Sequence, residues 1–195
     1  MSLIPMDDLL AEIRACEHCA EQLPLGSNPV VRASSSARLM IIGQAPGTRV
    51  HKTGIPWNDP SGDRLRQWLN LDSEQFYDES QIAIMPMGFC YPGKGKSGDL
   101  PPRKECAPLW HPNLLEQMPN VQLTLLIGQY SQKYYLEDPY KTLTERVQHW
   151  AECRDGFIPL PHPSPRNQLW LRRNPWFEDE VVPMLQQRVS ALLSD

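Results

Sequence analysis

The stretch Arg38-Leu39-Met40-Ile41-Ile42-Gly43-Gln44-Ala45-Pro46-Gly47 decides the fold class. Arg38 to Ile42 reads as a strand whose apolar residues run without alternation, as expected when both faces of a sheet are covered. Gly43 to Gly47 ends it in a turn: Pro46 lacks an N–H for a ladder, and the glycines free the backbone.

The pattern repeats outward from this stretch. Upstream, Asp7 to Ala15 reads as a helix with Leu9, Leu10 and Ile13 on one face. Downstream, a helix capped at Ser61 runs through Leu65 and Trp68 to Leu69, and Gln81 to Met85 is a second strand. Cys106 to Met118 is helical, with Pro108 in its first turn and a break or kink at Pro112. Val121 to Ile127 is a third strand, closed by Gly128. Gln129 to Leu136 and Leu143 to Glu152 are helices, Phe157 to Leu160 a short fourth strand, and Trp176 to Leu193 a closing helix. Strands alternating with helices predict a three-layer α/β/α fold with a central, mostly parallel four-stranded sheet, formed by one domain over residues 1–195. Such sheets bind ligands beyond the carboxyl ends of their strands. Gly43 to Gly47, Met85 to Cys90 and Pro161 to Asn167 all fall there.

With 195 residues, 41% of them hydrophobic, the chain can bury a core of its own. No apolar run reaches membrane-spanning length, so no membrane role is expected. Met1 to Asp8 shows no basic region followed by an apolar stretch, which predicts a cytoplasmic protein. A monomer is expected. The net charge of −4 speaks against nucleic acid at first sight, but its distribution matters more. Gly88 to Lys104 carries Lys94, Lys96, Arg103 and Lys104 against Asp99 alone, and Gly156 to Phe177 carries Arg166, Arg172 and Arg173 with no acid. The 20 prolines cluster in loops and suggest stiff, shaped connections rather than disorder.

Gly43-Gln44-Ala45-Pro46-Gly47 after a buried strand, followed by His162-Pro163-Ser164-Pro165 after the last strand, resembles the paired signature of the uracil-DNA glycosylase superfamily. The nearest branch by resemblance is the iron–sulfur branch, family 4. It carries Cys-x2-Cys before the first motif and two more Cys after the second strand, as Cys16, Cys19, Cys90 and Cys106 stand here. Lys52 to Trp57 also resembles the stretch that follows the first motif there. Two departures stand out. The branch has Glu where this chain has Gln44, and the wider superfamily often has Asp where it has Ala45. An Asn that reads the uracil edge is replaced near Pro86.

The resemblance implies a DNA repair enzyme that flips a uracil or another deaminated base out of the stack and hydrolyses its N-glycosidic bond. Its partner would be DNA containing a damaged base. Under that reading His162, held between prolines, donates a hydrogen bond to the departing base, while Gln44, Ala45, Pro46, Gly47 and Trp57 hold it. Water positioning falls to Gln44, His51, Asn58 or Asp59, although Asp59 could equally cap the following helix. Ser164, Arg166, Asn167, Lys94 and Lys96 are the expected DNA contacts, with Arg166 or Leu169 as a wedge. Cys16, Cys19, Cys90 and Cys106 would hold a [4Fe–4S] cluster; zinc would accept the same ligands, and four unrelated thiols remain an alternative. Cys153 fits no pattern and reads as a packed helix-end residue. Two rivals stand beside the enzyme reading: a DNA-binding member of the same fold without catalysis, favoured by the missing carboxylate, and a nucleoside hydrolase or nucleotide-binding α/β enzyme.

Overall fold

A computed structural model of the protein describes residues 4–194, so Met1 to Leu3, part of the stretch read for a targeting signal, lie outside the described residues. Its strands are β1 (Leu39–Ile42), β2 (Ile82–Ile84), β3 (Lys94–Gly95), β4 (Gly98–Asp99), β5 (Leu123–Ile127) and β6 (Phe157–Leu160). Its α-helices are α1 (Met6–Arg14), α2 (Thr48–Thr53), α3 (Pro60–Leu69), α4 (Ser73–Phe76), α5 (Cys106–Glu116), α6 (Gln129–Tyr135), α7 (Leu143–Gln148), α8 (Gln168–Arg173) and α9 (Val182–Leu193).

Four strands form one sheet in the order β2-β1-β5-β6, and all of its pairings are parallel. Successive strand residues point to opposite faces, so each face has its own core. Leu39, Ile41, Ile82, Leu125 and Ile158 face one side, packed with Leu65 and Trp68 of α3 and Leu185 and Val189 of α9. Met40, Ile42, Ala83 and Leu126 face the other, with Leu9 and Ile13 of α1 and Ala107 and Leu114 of α5. That two-sided burial is why β1 reads as an unbroken apolar run and β5 as one interrupted only by Thr124. The result is an α/β fold of three layers with a parallel sheet, as expected.

Several details differ from the sequence-based expectation. The α5 helix does not break at Pro112. The proline forfeits one hydrogen bond to the carbonyl of Pro108, but buried Ala107, His111 and Leu114 hold the helix against the sheet. The closing segment is not one α-helix: Phe177–Val181 forms a π-helical turn before α9. Pro183 has no N–H to give to the Asp179 carbonyl, so the α ladder loses a bond beside the π turn. The helix expected from Leu143 to Glu152 stops at Gln148 and continues as a short 3₁₀ turn, Trp150–Glu152. Two-residue strands β3 and β4 pair antiparallel, Lys94 with Asp99 and Gly95 with Gly98, where the sequence suggested only loop.

Candidate active site

A cleft of about 560 Å³ opens beyond the carboxyl ends of the central strands. Gly43 to Gly47 follow β1 into it, Pro86 follows β2, Gly128 and Gln129 follow β5, and His162, Ser164, Arg166 and Asn167 follow β6. Trp57 and Asp59, between α2 and α3, close one wall, and Ser97 to Leu100 of the β3–β4 ribbon another.

Trp57 is held in place by its neighbours. Its ring lies so close to Gly43 that a Cβ there would come 2.8 Å from Cζ2. Its backbone has a left-handed φ of 58°, which a bulky residue rarely adopts. Three interactions hold it. Gly62 packs directly under its carbonyl, where a Cβ would fall 1.7 Å from the oxygen. Arg66 Nη1 donates to the same oxygen at 3.1 Å, and also to Tyr77 Oη at 3.2 Å. Tyr77 Oη in turn donates to the Pro56 carbonyl at 2.7 Å.

The indole faces His162, with ring centroids 5.7 Å apart and planes inclined by 35°. The imidazole is fixed from behind. The Ser164 N–H donates to His162 Nδ1 at 3.1 Å. A backbone N–H can only donate, so Nδ1 carries no proton and Nε2 does. Asn167 Nδ2 donates to the His162 carbonyl at 2.7 Å and fixes the main chain of the same residue. Burial lowers the pKa of His162, against an opposing pull from the Asp59 charge, so the ring is neutral at neutral pH. Gln44 stands opposite: Gly128 is flanked by Gln44 Oε1 and His162 Cδ2, each 3.9 Å from the position of an added Cβ. The site therefore offers a flat aromatic wall, an amide, and a neutral imidazole with an oriented N–H.

A family model, the uracil DNA glycosylase superfamily, matches residues 31–186. The chain belongs to the uracil DNA glycosylase superfamily. The matched span runs from before β1 into α9 and includes both Gln44 and His162. Membership implies a DNA substrate and glycosylase chemistry. It does not resolve the iron–sulfur branch, and Cys16 and Cys19 lie outside the matched residues. No helix among the described residues is long and apolar enough to cross a membrane.

The other residues singled out for superfamily function are placed as follows. Ala45, Pro46 and Gly47 line the cleft with Gln44. Asp59 lines it too, but its Oδ1 accepts from the Gly62 N–H at 2.9 Å and caps α3, which starts at Pro60 rather than Ser61. His51 is not among the lining residues; it sits on α2 beside Tyr91, ring centroids 6.1 Å apart. Ser164 Oγ accepts from the Arg166 N–H at 3.2 Å. Arg166 Nη1 donates to the Ser97 carbonyl at 2.8 Å, so its guanidinium bridges the His162 loop to the ribbon instead of projecting as a free wedge. Leu169 remains 55% exposed. Lys94 and Lys96 are exposed on the ribbon. Asp99, counted in the sequence only as a lone acid, reaches the cleft wall.

Cys16, Cys19, Cys90 and Cys106 influence one another electrostatically. Burial pushes the Cys106 thiol up to about 12, with the charges of Cys90, Cys16 and Cys19 adding to the rise. The Cys90 thiol is also raised, by burial first and then by Cys16 and Cys19. Phe89 N–H donates to Cys106 Sγ at 3.3 Å. The four sulfurs thus lie within electrostatic reach of one another. Yet among the described residues no three His, Cys, Asp or Glu side chains converge tightly enough for one ion. A zinc–thiolate bond is about 2.3 Å, so four thiolates round one zinc must nearly touch. A four-iron cluster sets its ligands further apart than a single ion does.

Polar residues outside the motifs also shape the site. Gln132 Nε2 donates to the carbonyls of Leu126 and Leu160, at 3.0 and 2.9 Å, and ties the ends of β5 and β6 together just before His162. His111 Nε2 lies 2.9 Å from the Pro86 carbonyl, and its Nδ1 meets Tyr135 Oη at 2.5 Å. Neither Gln132 nor His111 carries a signal in the sequence, because only burial gives them a role.

Proposed function

We propose that the protein is a DNA glycosylase that hydrolyses the N-glycosidic bond of uracil or another deaminated base after the base leaves the helix. The observation that carries this reading is His162, whose Nε2–H is free to donate into the cleft because Nδ1 accepts from Ser164. Cleavage leaves the base as an anion and the sugar with cationic character. A donor already aimed at the base oxygen stabilises that anion without reorganising. A neutral imidazole suffices as that donor. Trp57 offers a face for the flipped base, and Gln44 an amide for its edge. Lys94 and Lys96 on the exposed ribbon supply phosphate contacts that do not read sequence.

The same superfamily scaffold also supports a second reading, a DNA-binding protein without catalysis, because neither Gln44 nor Ala45 supplies a carboxylate. Single-turnover excision on oligonucleotides bearing uracil, hypoxanthine or xanthine separates the two. The wild type should release at least one of these bases. His162→Ala should release it about 100- to 1000-fold more slowly while binding DNA normally. Lys94→Ala with Lys96→Ala should flatten the salt dependence of binding. Tight DNA binding with no excision of any of the three would establish the non-catalytic reading.

A [4Fe–4S] cluster held by Cys16, Cys19, Cys90 and Cys106 accompanies this proposal. What supports it is the mutual electrostatic reach of the four thiols and the N–H donated to Cys106. Such a cluster would act structurally: Cys90 and Cys106 bracket the segment that contains the ribbon, and Cys16 and Cys19 would pin it to the end of α1.

A further inference from the structure

Hydrolysis also needs a water placed beside the sugar, and the first motif lacks a carboxylate to place it. Among the described residues only two acids line the cleft, Asp59 and Asp99. Asp59 is engaged in capping α3. Asp99 is not engaged: its carboxylate makes no hydrogen bond or ion pair with the described residues. Its Oδ2 lies 3.7 Å from the position a Cβ would take on Gly47, so it sits against the end of the first motif.

We propose that Asp99, carried on the β3–β4 ribbon, is the carboxylate that orients and deprotonates the attacking water. The proposal rests on the glycosylase reading above. In the step, the glycosidic bond breaks with its electron pair going to the base nitrogen. The water oxygen forms a bond to the sugar carbon, and one water proton passes to an Asp99 oxygen and then to solvent. The base anion, held by His162 Nε2–H, takes a proton from solvent. The products are a free base and an abasic sugar, so a single water is consumed.

The ribbon is fastened where this role needs it. Arg166 Nη1 bonds the Ser97 carbonyl and packs so closely on Gly98 that a Cβ there would meet it at 2.4 Å. The loop that carries His162 therefore also locates the strand that carries Asp99. Arg166 is a positioning residue in this arrangement. Three charged or titratable groups face the carboxylate: Lys94 across the ribbon, Arg166 from the His162 loop, and Tyr91. Desolvation raises the Asp99 pKa against the pull of Arg166 and Lys94, which suits a group that must accept a proton.

The test is single-turnover excision by Asp99→Asn, with Asp99→Glu alongside. General-base catalysis contributes roughly 100- to 10,000-fold, so Asp99→Asn should lose at least about 100-fold in rate. DNA affinity should hold or rise, since a negative charge near the phosphates is removed. Asp99→Glu should recover part of the rate. The wild-type rate should fall in acid as Asp99 takes up a proton, and Asp99→Asn should lose that limb, whereas any His162 titration remains in both proteins. Equal thermal midpoints would show that the ribbon is intact. If the midpoint of Asp99→Asn falls, partial recovery in Asp99→Glu decides the matter, and no recovery counts against the proposal. A wild type that excises while Asp99→Asn matches its rate and pH profile would overturn this inference and leave the glycosylase reading standing. A wild type that excises no base would overturn both.

Discussion

Gly62→Ala probes the wall of the site through a contact that only the folded chain defines. An added Cβ would fall 1.7 Å from the Trp57 carbonyl oxygen, 2.5 Å from its carbonyl carbon and 2.9 Å from its Cβ. The oxygen would have to retreat by about 1.3 Å to reach 3.0 Å, below which real Cβ contacts are essentially never found. Backbone cannot swing aside like the end of a side chain, and Trp57 is already at a left-handed φ. The retreat would break the hydrogen bond from Arg66, a charged donor, at a cost of about 1.5–3 kcal/mol. Overpacking adds roughly 1–3 kcal/mol. A total of about 2.5–6 kcal/mol lowers the melting temperature of a chain this size by about 5–24 °C. Gly47→Ala is the control, because the nearest atom to its added Cβ is 3.7 Å away and its φ is −86°. That substitution should cost less than about 1 kcal/mol. Where the protein still folds, a shift of about 1 Å in Trp57 should slow excision roughly 100-fold. Thermal melts of the three proteins, followed by tryptophan fluorescence, check this. A Gly62→Ala protein with the wild-type midpoint would refute the packing argument.

Protonation of buried His111 should destabilise the fold in acid. Burial holds its pKa at about 4 against an ordinary 6.5, so between those values the unfolded chain binds a proton that the folded chain refuses. Stability is then full above pH 6.5 and falls as pH drops towards 4, by roughly 3 kcal/mol in all. His162 adds in the same direction. Urea midpoints at pH 7 and pH 5 should show the loss, and His111→Gln should remove most of the slope; an undiminished slope would point to another group. Protein purified without oxygen should be brown, absorb near 400 nm and contain about four irons per chain, with Cys16→Ser losing the colour. One zinc per chain, or neither metal, would reject the cluster.

The fold was legible because both sheet faces are buried. Leu39 to Ile42 announces itself as an unbroken apolar run and Leu123 to Ile127 as one interrupted only by Thr124, and each ends in a Gly-bearing turn. The cleft was legible through the same turns, since Gln44 and His162 follow strands that are parallel and close in the sheet. The ribbon was not legible. Two-residue strands rich in glycine have no alternation to read, and the side chain that fastens them to the His162 loop, Arg166, lies 69 residues from Ser97. Asp99 therefore passed as a lone acid in a basic loop. His51 is the converse case. Its position soon after the motif suggested a role in the cleft, but the α2 helix turns it towards Tyr91.

What places the chemistry here is a set of side chains bonded to main-chain atoms rather than the apolar pattern. Gln132 joins the carbonyls at the ends of β5 and β6, Asn167 holds the carbonyl of His162, Ser164 N–H sets its tautomer, and Arg166 holds the ribbon. The carbonyls of His162 and Ser97 and the His162 ring nitrogen lie in loops that leave the parallel sheet, and these bonds satisfy them, while Gln132 adds a second donor to the Leu160 carbonyl that already accepts from the Gly128 N–H. Apolar packing is tolerant of small shifts, and hydrogen bonds of 2.7–3.1 Å are far less so. A loop fixed this way can keep a donor and a carboxylate aimed before a substrate arrives. That is the condition under which electrostatic stabilisation of a leaving base is most effective. It follows that Asn167→Ala, which leaves every cleft-facing group of His162 in place, should still slow excision, because it frees the backbone that aims the imidazole.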